Sequence, residues 1–144
     1  MRLWHKDLIP VLPRQQLLGQ WRECCLIAKN IAEKGTPNHL LVNRIMDYSM
    51  AHFSAYIDLV IKEMHERGYR INRKSYINMI TNLNNAREFF KDGPAGCNTI
   101  IFSGWHNERY LIQCLMNLQE KYDCGGISEE EWIKVSSIIK EVEK

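Results

Sequence analysis

The chain has 144 residues, of which 45% are hydrophobic and 25% charged, and its formal net charge is +2. That length fits one domain around one core, and no apolar run approaches the roughly 20 residues a membrane span needs. Its five cysteines are an odd number with no C-x-x-C pair, which argues against a zinc or redox motif.

The opening MRLWHKDLIP carries Lys6 and Asp7 where a signal peptide would need an apolar stretch, so the chain is expected in the cytosol. Charge is uneven. Residues 1–74 hold 12 Lys/Arg against 7 Asp/Glu, and residues 75–144 hold 7 against 10. A basic first half suits a polyanionic partner.

Helical periodicity dominates. Pro13 opens a first helix running to about Lys34, with Leu17, Leu18, Trp21, Cys25 and Ile31 as its apolar stripe. Gly35, Thr36 and Pro37 stop it. A long second helix is expected over about 40–67, burying Ile45, Tyr48, Phe53, Tyr56, Ile57, Val60, Ile61 and Met64. Gly68 then caps its end in the left-handed conformation. Asn72 reads as the N-cap of a third helix over roughly 73–90. Residues 91–104 are rich in glycine and read as a loop. A fourth helix is expected over about 105–122, ended by Gly125 and Gly126. Ser128 with Glu131 three residues on is a capping box that opens a last helix. The expectation is an all-α, compact single domain of four to five helices over residues 1–144, with no strand.

The chemistry concentrates near the chain start. An α-amine has a pKa of about 7.7–8.0, against about 10.4 for lysine. Roughly a tenth is therefore neutral at about pH 7, ready to attack an electrophilic carbon. Arg2 is too bulky to permit removal of Met1, so the Met1 amine is the expected terminus. Glu23 sits on the first helix within the same early segment, as a carboxylate able to stabilise a cation and move protons. The five histidines show no metal spacing, and neither metal nor organic cofactor is expected. His39 follows the turn that ends the first helix and is a candidate for the same site. Lys62, Arg67, Arg70, Arg73 and Lys74 cluster around a helix–helix turn, as solvated charge or as a further contact to a nucleic-acid backbone.

The stretch MRLW…LIPVLPRQQLLGQWRE, with Arg2, Leu8, Leu12, Gln15, Leu17, Trp21 and the Arg22–Glu23 pair, resembles the start of the pyrimidine-dimer DNA glycosylase/AP lyase family, the phage endonuclease V type. Tyr48, Phe53 and the segment ERGYRI at residues 66–71 carry the likeness further, and residues 106–121 more loosely. The resemblance implies that Met1 supplies the imine-forming amine and Glu23 the catalytic carboxylate. It implies that Arg2 and Arg22 clamp phosphates and that Gln15 contacts DNA, with His39 added beside them. The implied partner is double-stranded DNA with a damaged or abasic nucleotide, bound by a monomer, with the nucleotide extruded for attack. The chain departs from the family in carrying Leu26 where a basic residue is expected, and an acidic helix in place of a basic aromatic tail. Two rival readings share the scaffold: a glycosylase for another lesion, and a non-catalytic DNA-binding or protein-interaction module.

Overall fold

A computed structural model describes residues 2–93 and 100–142, with side chains through 139. Among these residues five α-helices carry the fold: α1 (Arg14–Lys34), α2 (Met50–Glu66), α3 (Arg73–Ala86), α4 (Glu108–Asp123) and α5 (Glu129–Val142). Short 3-10 helices cover Lys6–Val11, Val42–Asp47 and Arg87–Phe89. No strand forms among the described residues, only one isolated bridge between Ser49 and Lys91. The all-α expectation holds. Among the described residues no helix is long and apolar enough to cross a membrane.

Helix α1 starts behind Pro13, whose side chain makes no cap. Its first N–H, that of Arg14, donates instead to Glu131 Oε2 of α5 at 2.8 Å. Glu131 Oε1 meanwhile faces the Ser128 hydroxyl at 3.1 Å, and the Glu131 N–H donates back to Ser128 Oγ, so the expected capping box is present. One carboxylate thus serves the starts of two helices, where the helix dipole favours negative charge. Helix α1 ends at Gly35 in the left-handed conformation, as expected.

The buried face of α1 is Leu17, Trp21, Cys24, Ala28 and Ile31, joined by Gln20 and Ile27. The sequence stripe had named Leu18 and Cys25, both only half-buried. Alternating steps of four and three keep residues 17, 21, 24, 28 and 31 on one side, and residues 18 and 25 fall about 100° away.

The expected second helix over 40–67 is broken. Residues 42–47 form a 3-10 helix, and Tyr48 and Ser49 are extended. Asn43 Oδ1 faces the Thr36 hydroxyl and accepts the His39 N–H, each at 3.1 Å, tying the chain into a turn before α2. The bend lets Val42 and Ile45 reach the core from one direction and Phe53, Tyr56, Ile57, Val60 and Met64 from another. Tyr48 and Ile61 are half-buried rather than core. Gly68 and the Asn72 cap are where the pattern put them. Helix α3 gives way to the 3-10 turn at Arg87–Phe89 instead of continuing to residue 90. Helix α4 begins at Glu108, with Asn107 as N-cap, three residues later than expected. Trp105 and His106 are not helical but buried in the turn before it. Part of the expected loop, residues 94–99, lies outside the described residues.

Helix α1 packs on α3 and α2, α4 lies beside α5, and the first 3-10 helix fits between α2 and α5. Arg67 locks that last junction. Its Nε donates to Glu63 at 2.7 Å, and its Nη atoms donate to the carbonyls of Leu12 at 2.8 Å and Pro10 at 3.2 Å. This member of the surface cationic cluster is therefore turned inward, with 15% of its side chain exposed. Arg67→Ala is expected to lower stability by about 2–3 kcal/mol, because its charge-assisted bonds to Glu63 and to the Leu12 and Pro10 carbonyls are lost together. Urea unfolding checks this; a loss below about 0.5 kcal/mol would mean that Arg67 is only a surface charge.

Candidate active site

Residues 2–5 run extended into the interior, with Leu3, Trp4 and His5 buried. An extended segment outside any sheet leaves its backbone polar groups without regular partners. Here side chains supply them. The Arg2 N–H donates to Glu23 Oε2 at 2.8 Å. Gln20 clamps the segment twice, accepting the Trp4 N–H at 2.8 Å and donating to the Arg2 carbonyl at 3.0 Å. The Tyr56 hydroxyl donates to the Trp4 carbonyl at 2.6 Å and lies 3.0 Å from Gln20 Oε1. Tyr110 of α4 donates to the Leu3 carbonyl, and the Lys6 N–H donates to His106 Nδ1 at 3.0 Å. Burial pushes the Tyr56 and Tyr110 phenols well above their usual range, so both remain protonated donors.

The segment and the near face of α1 enclose a cleft of about 370 Å³. Gln16, Gly19, Gln20 and Glu23 line it from α1, at the 3- and 4-residue steps of one helix face. Gln15, Arg2 and Trp4 complete that wall, and Asn117 and Lys121 of α4 close the other side. The Arg22 guanidinium reaches back along α1, 3.8 Å from where a Gly19 side chain would begin. Glycine inside a helix costs about 1 kcal/mol relative to alanine, and here it keeps the cleft floor low. The Arg2 guanidinium lies 5.4 Å from the Trp4 ring centre, with Nη1 3.8 Å from Cys114 Sγ. Glu23 is the one carboxylate in a lining that also holds Arg2 and Lys121, with Arg22 beside it. That balance suits a polyanion whose reacting atom develops positive charge.

Of the residues singled out in the sequence, Arg2, Gln15 and Glu23 line this cleft and Arg22 stands at its edge. Met1 lies outside the described residues. His39 does not line the cleft: it follows the far end of α1, whose last residue is roughly 16 Å along the axis from Glu23. Gly19, Gln20, Asn117 and Lys121 were missed, whereas Trp4, two residues beyond Arg2, and Gln16, beside Gln15 on the first helix, stood out in the sequence and line the cleft. The α1 members carried a readable signal, a polar stripe at helical spacing through Glu23. Asn117 and Lys121 carried none, being about a hundred residues away in the chain. Among the described residues no group of three or more His, Cys, Asp or Glu comes together to hold a metal.

His5 and His106 stack behind the segment with ring centres 5.2 Å apart. Burial, with the charges of His5, Lys6 and Arg44, pushes His106 down to about 2. Burial also lowers His5, against the pull of Asp7.

The geometry is that of a helical domain that holds a glutamate against its first described residues, in a cleft lined by amides and cations. The family model described as pyrimidine dimer DNA glycosylase matches residues 1–77, and the chain belongs to that family. No curated protein and no solved structure matches the chain.

Two outcomes follow from this geometry. Gln20→Ala removes both clamps and leaves buried backbone groups unpaired, so a loss of about 2–4 kcal/mol is expected in urea unfolding, and about 1–2 kcal/mol for Tyr56→Phe. A Gln20→Ala loss within 0.5 kcal/mol, on the order of a surface change, would show that the segment is held by packing alone. The pH dependence has a definite sign. A histidine kept neutral by the fold contributes fully above its unfolded pKa of about 6.5. That contribution is lost as pH falls, because the unfolded chain takes the proton first. Stability should therefore decline below about pH 6.5, by up to about 1.4 kcal/mol per pH unit for each such histidine. His106→Asn should flatten the decline; an unchanged slope would contradict it.

Proposed function

We propose that the chain is a DNA glycosylase with AP lyase activity. The amine of Met1 is the nucleophile and Glu23 the carboxylate that assists it. The observation that supports this most is the 2.8 Å bond from the Arg2 N–H to Glu23 Oε2. It anchors a carboxylate one residue from Met1, and a chain spans at most about 3.6 Å per residue.

The amine attacks C1′ of the damaged nucleotide, and the C1′–N bond to the base breaks, the base leaving with a proton. The sugar ring opens as the nitrogen lone pair completes an iminium. That cation acidifies the C2′ proton, which Glu23 accepts. The C3′–O bond then breaks, and the 3′ phosphate departs with the electron pair. Water hydrolyses the imine and frees the amine. At an abasic site the amine condenses directly with the sugar aldehyde, and the later steps are the same. Within the cleft, Glu23 faces the developing cation while Arg2, Arg22 and Lys121 meet flanking phosphates. The partner is double-stranded DNA carrying a pyrimidine dimer or an abasic nucleotide. Extruding that nucleotide costs a few kcal/mol, and less where stacking is already impaired.

Borohydride reduction during reaction with a duplex containing one abasic site should trap a covalent adduct on the Met1 peptide. Glu23→Gln is expected to slow strand cleavage by about 10²–10⁴-fold while leaving duplex affinity close to wild type. Acetylating the amine, or extending the chain before Met1, should abolish trapping. Cleavage that survives a blocked amine would overturn the mechanism. Duplex binding without any adduct would favour the non-catalytic module instead.

A further inference from the structure

A second cleft, of about 340 Å³, lies at the other end of α4. Among the described residues Arg44, Trp105, Asn107, Arg109 and Gln113 line it, together with Gly104 and Tyr110, and no carboxylate does. Arg44 and Arg109 are both exposed, and neither has a carboxylate partner among the described residues. The Arg44 guanidinium lies 5.5 Å from the Trp105 ring centre. Stacking of this kind orients the planar fork while leaving its N–H groups available. Trp105 is fully buried, and its Nε1–H has no partner among the described residues.

The wall is rigid for reasons visible in the turn before α4. Asn107 spends its side chain on the Tyr110 N–H and the Gly104 carbonyl. Phe102 is fully buried at a φ of 52°, a conformation a side-chain-bearing residue adopts only when its surroundings hold it there. The His52 ring accepts its N–H at 2.9 Å, and its carbonyl accepts from the N–H groups of Trp105 and His106. Tyr48 donates to the Ser103 carbonyl at 2.7 Å. Arg44 thus lies over a fixed aromatic base, and Arg109 shares the same cleft lining.

Arg109, Gln113, Asn117 and Lys121 follow one another at four-residue steps along α4, and the last two line the candidate active site. Twelve residues of helix span roughly 18 Å. Successive phosphates of one DNA strand advance about 3.4 Å along the duplex axis, so that span is on the order of five base steps.

We infer that Arg44 and Arg109 form a second anion-binding cleft that takes a backbone phosphodiester of the same DNA, several nucleotides from the reacting sugar. This rests on the glycosylase reading, and it adds a contact that extends the footprint along α4. The cleft positions the duplex without reading its sequence, because phosphate contacts carry none.

The test is fluorescence anisotropy with undamaged duplexes of two lengths, one spanning both clefts and one too short to reach beyond the first, over a salt series. The variants are Arg44→Gln/Arg109→Gln and, as a comparison, Lys121→Gln. On the long duplex the double variant is expected to bind about tenfold more weakly, with the log–log salt slope shallower by about 1, the mark of one lost phosphate contact. On the short duplex it should bind as wild type does, whereas Lys121→Gln should weaken both. An unchanged thermal melt excludes a folding defect. If wild type binds DNA and traps on abasic sites but the double variant keeps the full slope on the long duplex, this inference fails and the glycosylase reading stands. If wild type neither binds nor traps, both fail.

Discussion

An extended backbone buried without a sheet must have each polar group met by a side chain, and the arrangement of this protein turns on that requirement. Gln20, Tyr56, Tyr110, His106 and Glu23 come from α1, α2, α4 and the turn before it, and they converge on residues 2–6. A strand hydrogen bond is supplied by a neighbouring backbone wherever one lies; these are supplied by side chains whose positions depend on three helices at once. The register of the segment is therefore fixed. A shift by one residue would reverse which groups face Gln20 and carry Arg2 away from Glu23.

The same bonds shape the electrostatics. Glu23 accepts a backbone N–H at one oxygen, which orients the carboxylate against the first residues. Arg2 is held by its carbonyl and N–H as well as by Trp4, so backbone and ring position its guanidinium. Asn117 and Lys121 enter from α4, and α4 is itself tied to the segment through Tyr110. Fold and site are one network, and loosening the segment would lower both stability and chemical competence.

The second half of the chain is net acidic, yet its charges are placed so as not to oppose a polyanion at the clefts. Glu131 is spent on the start of α1 and on its own capping box. Among the described residues, neither cleft is lined by an acid from α5. The departure from a basic tail therefore does not remove positive potential from the cleft itself, which α1, α4 and the first residues supply.

The sequence by itself determined the fold class, most helix ends and the family to which the chain belongs. Helical periodicity, Gly35, Gly68, Asn72 and the Ser128–Glu131 box are local signals, readable because each acts within a few residues of itself. The MRLW opening and the Arg22–Glu23 pair pointed to the family for a similar reason: the chemistry lies within one short stretch. Tertiary structure alone decided the break before α2, the burial of Cys24 over Cys25, the inward turn of Arg67 and the late start of α4. It alone also brought Asn117 and Lys121 to Glu23, left His39 out of the cleft, and set Arg44 beside Arg109. Residues so far apart in the chain meet only because one core must bury the faces of several helices together, and no local pattern encodes that meeting.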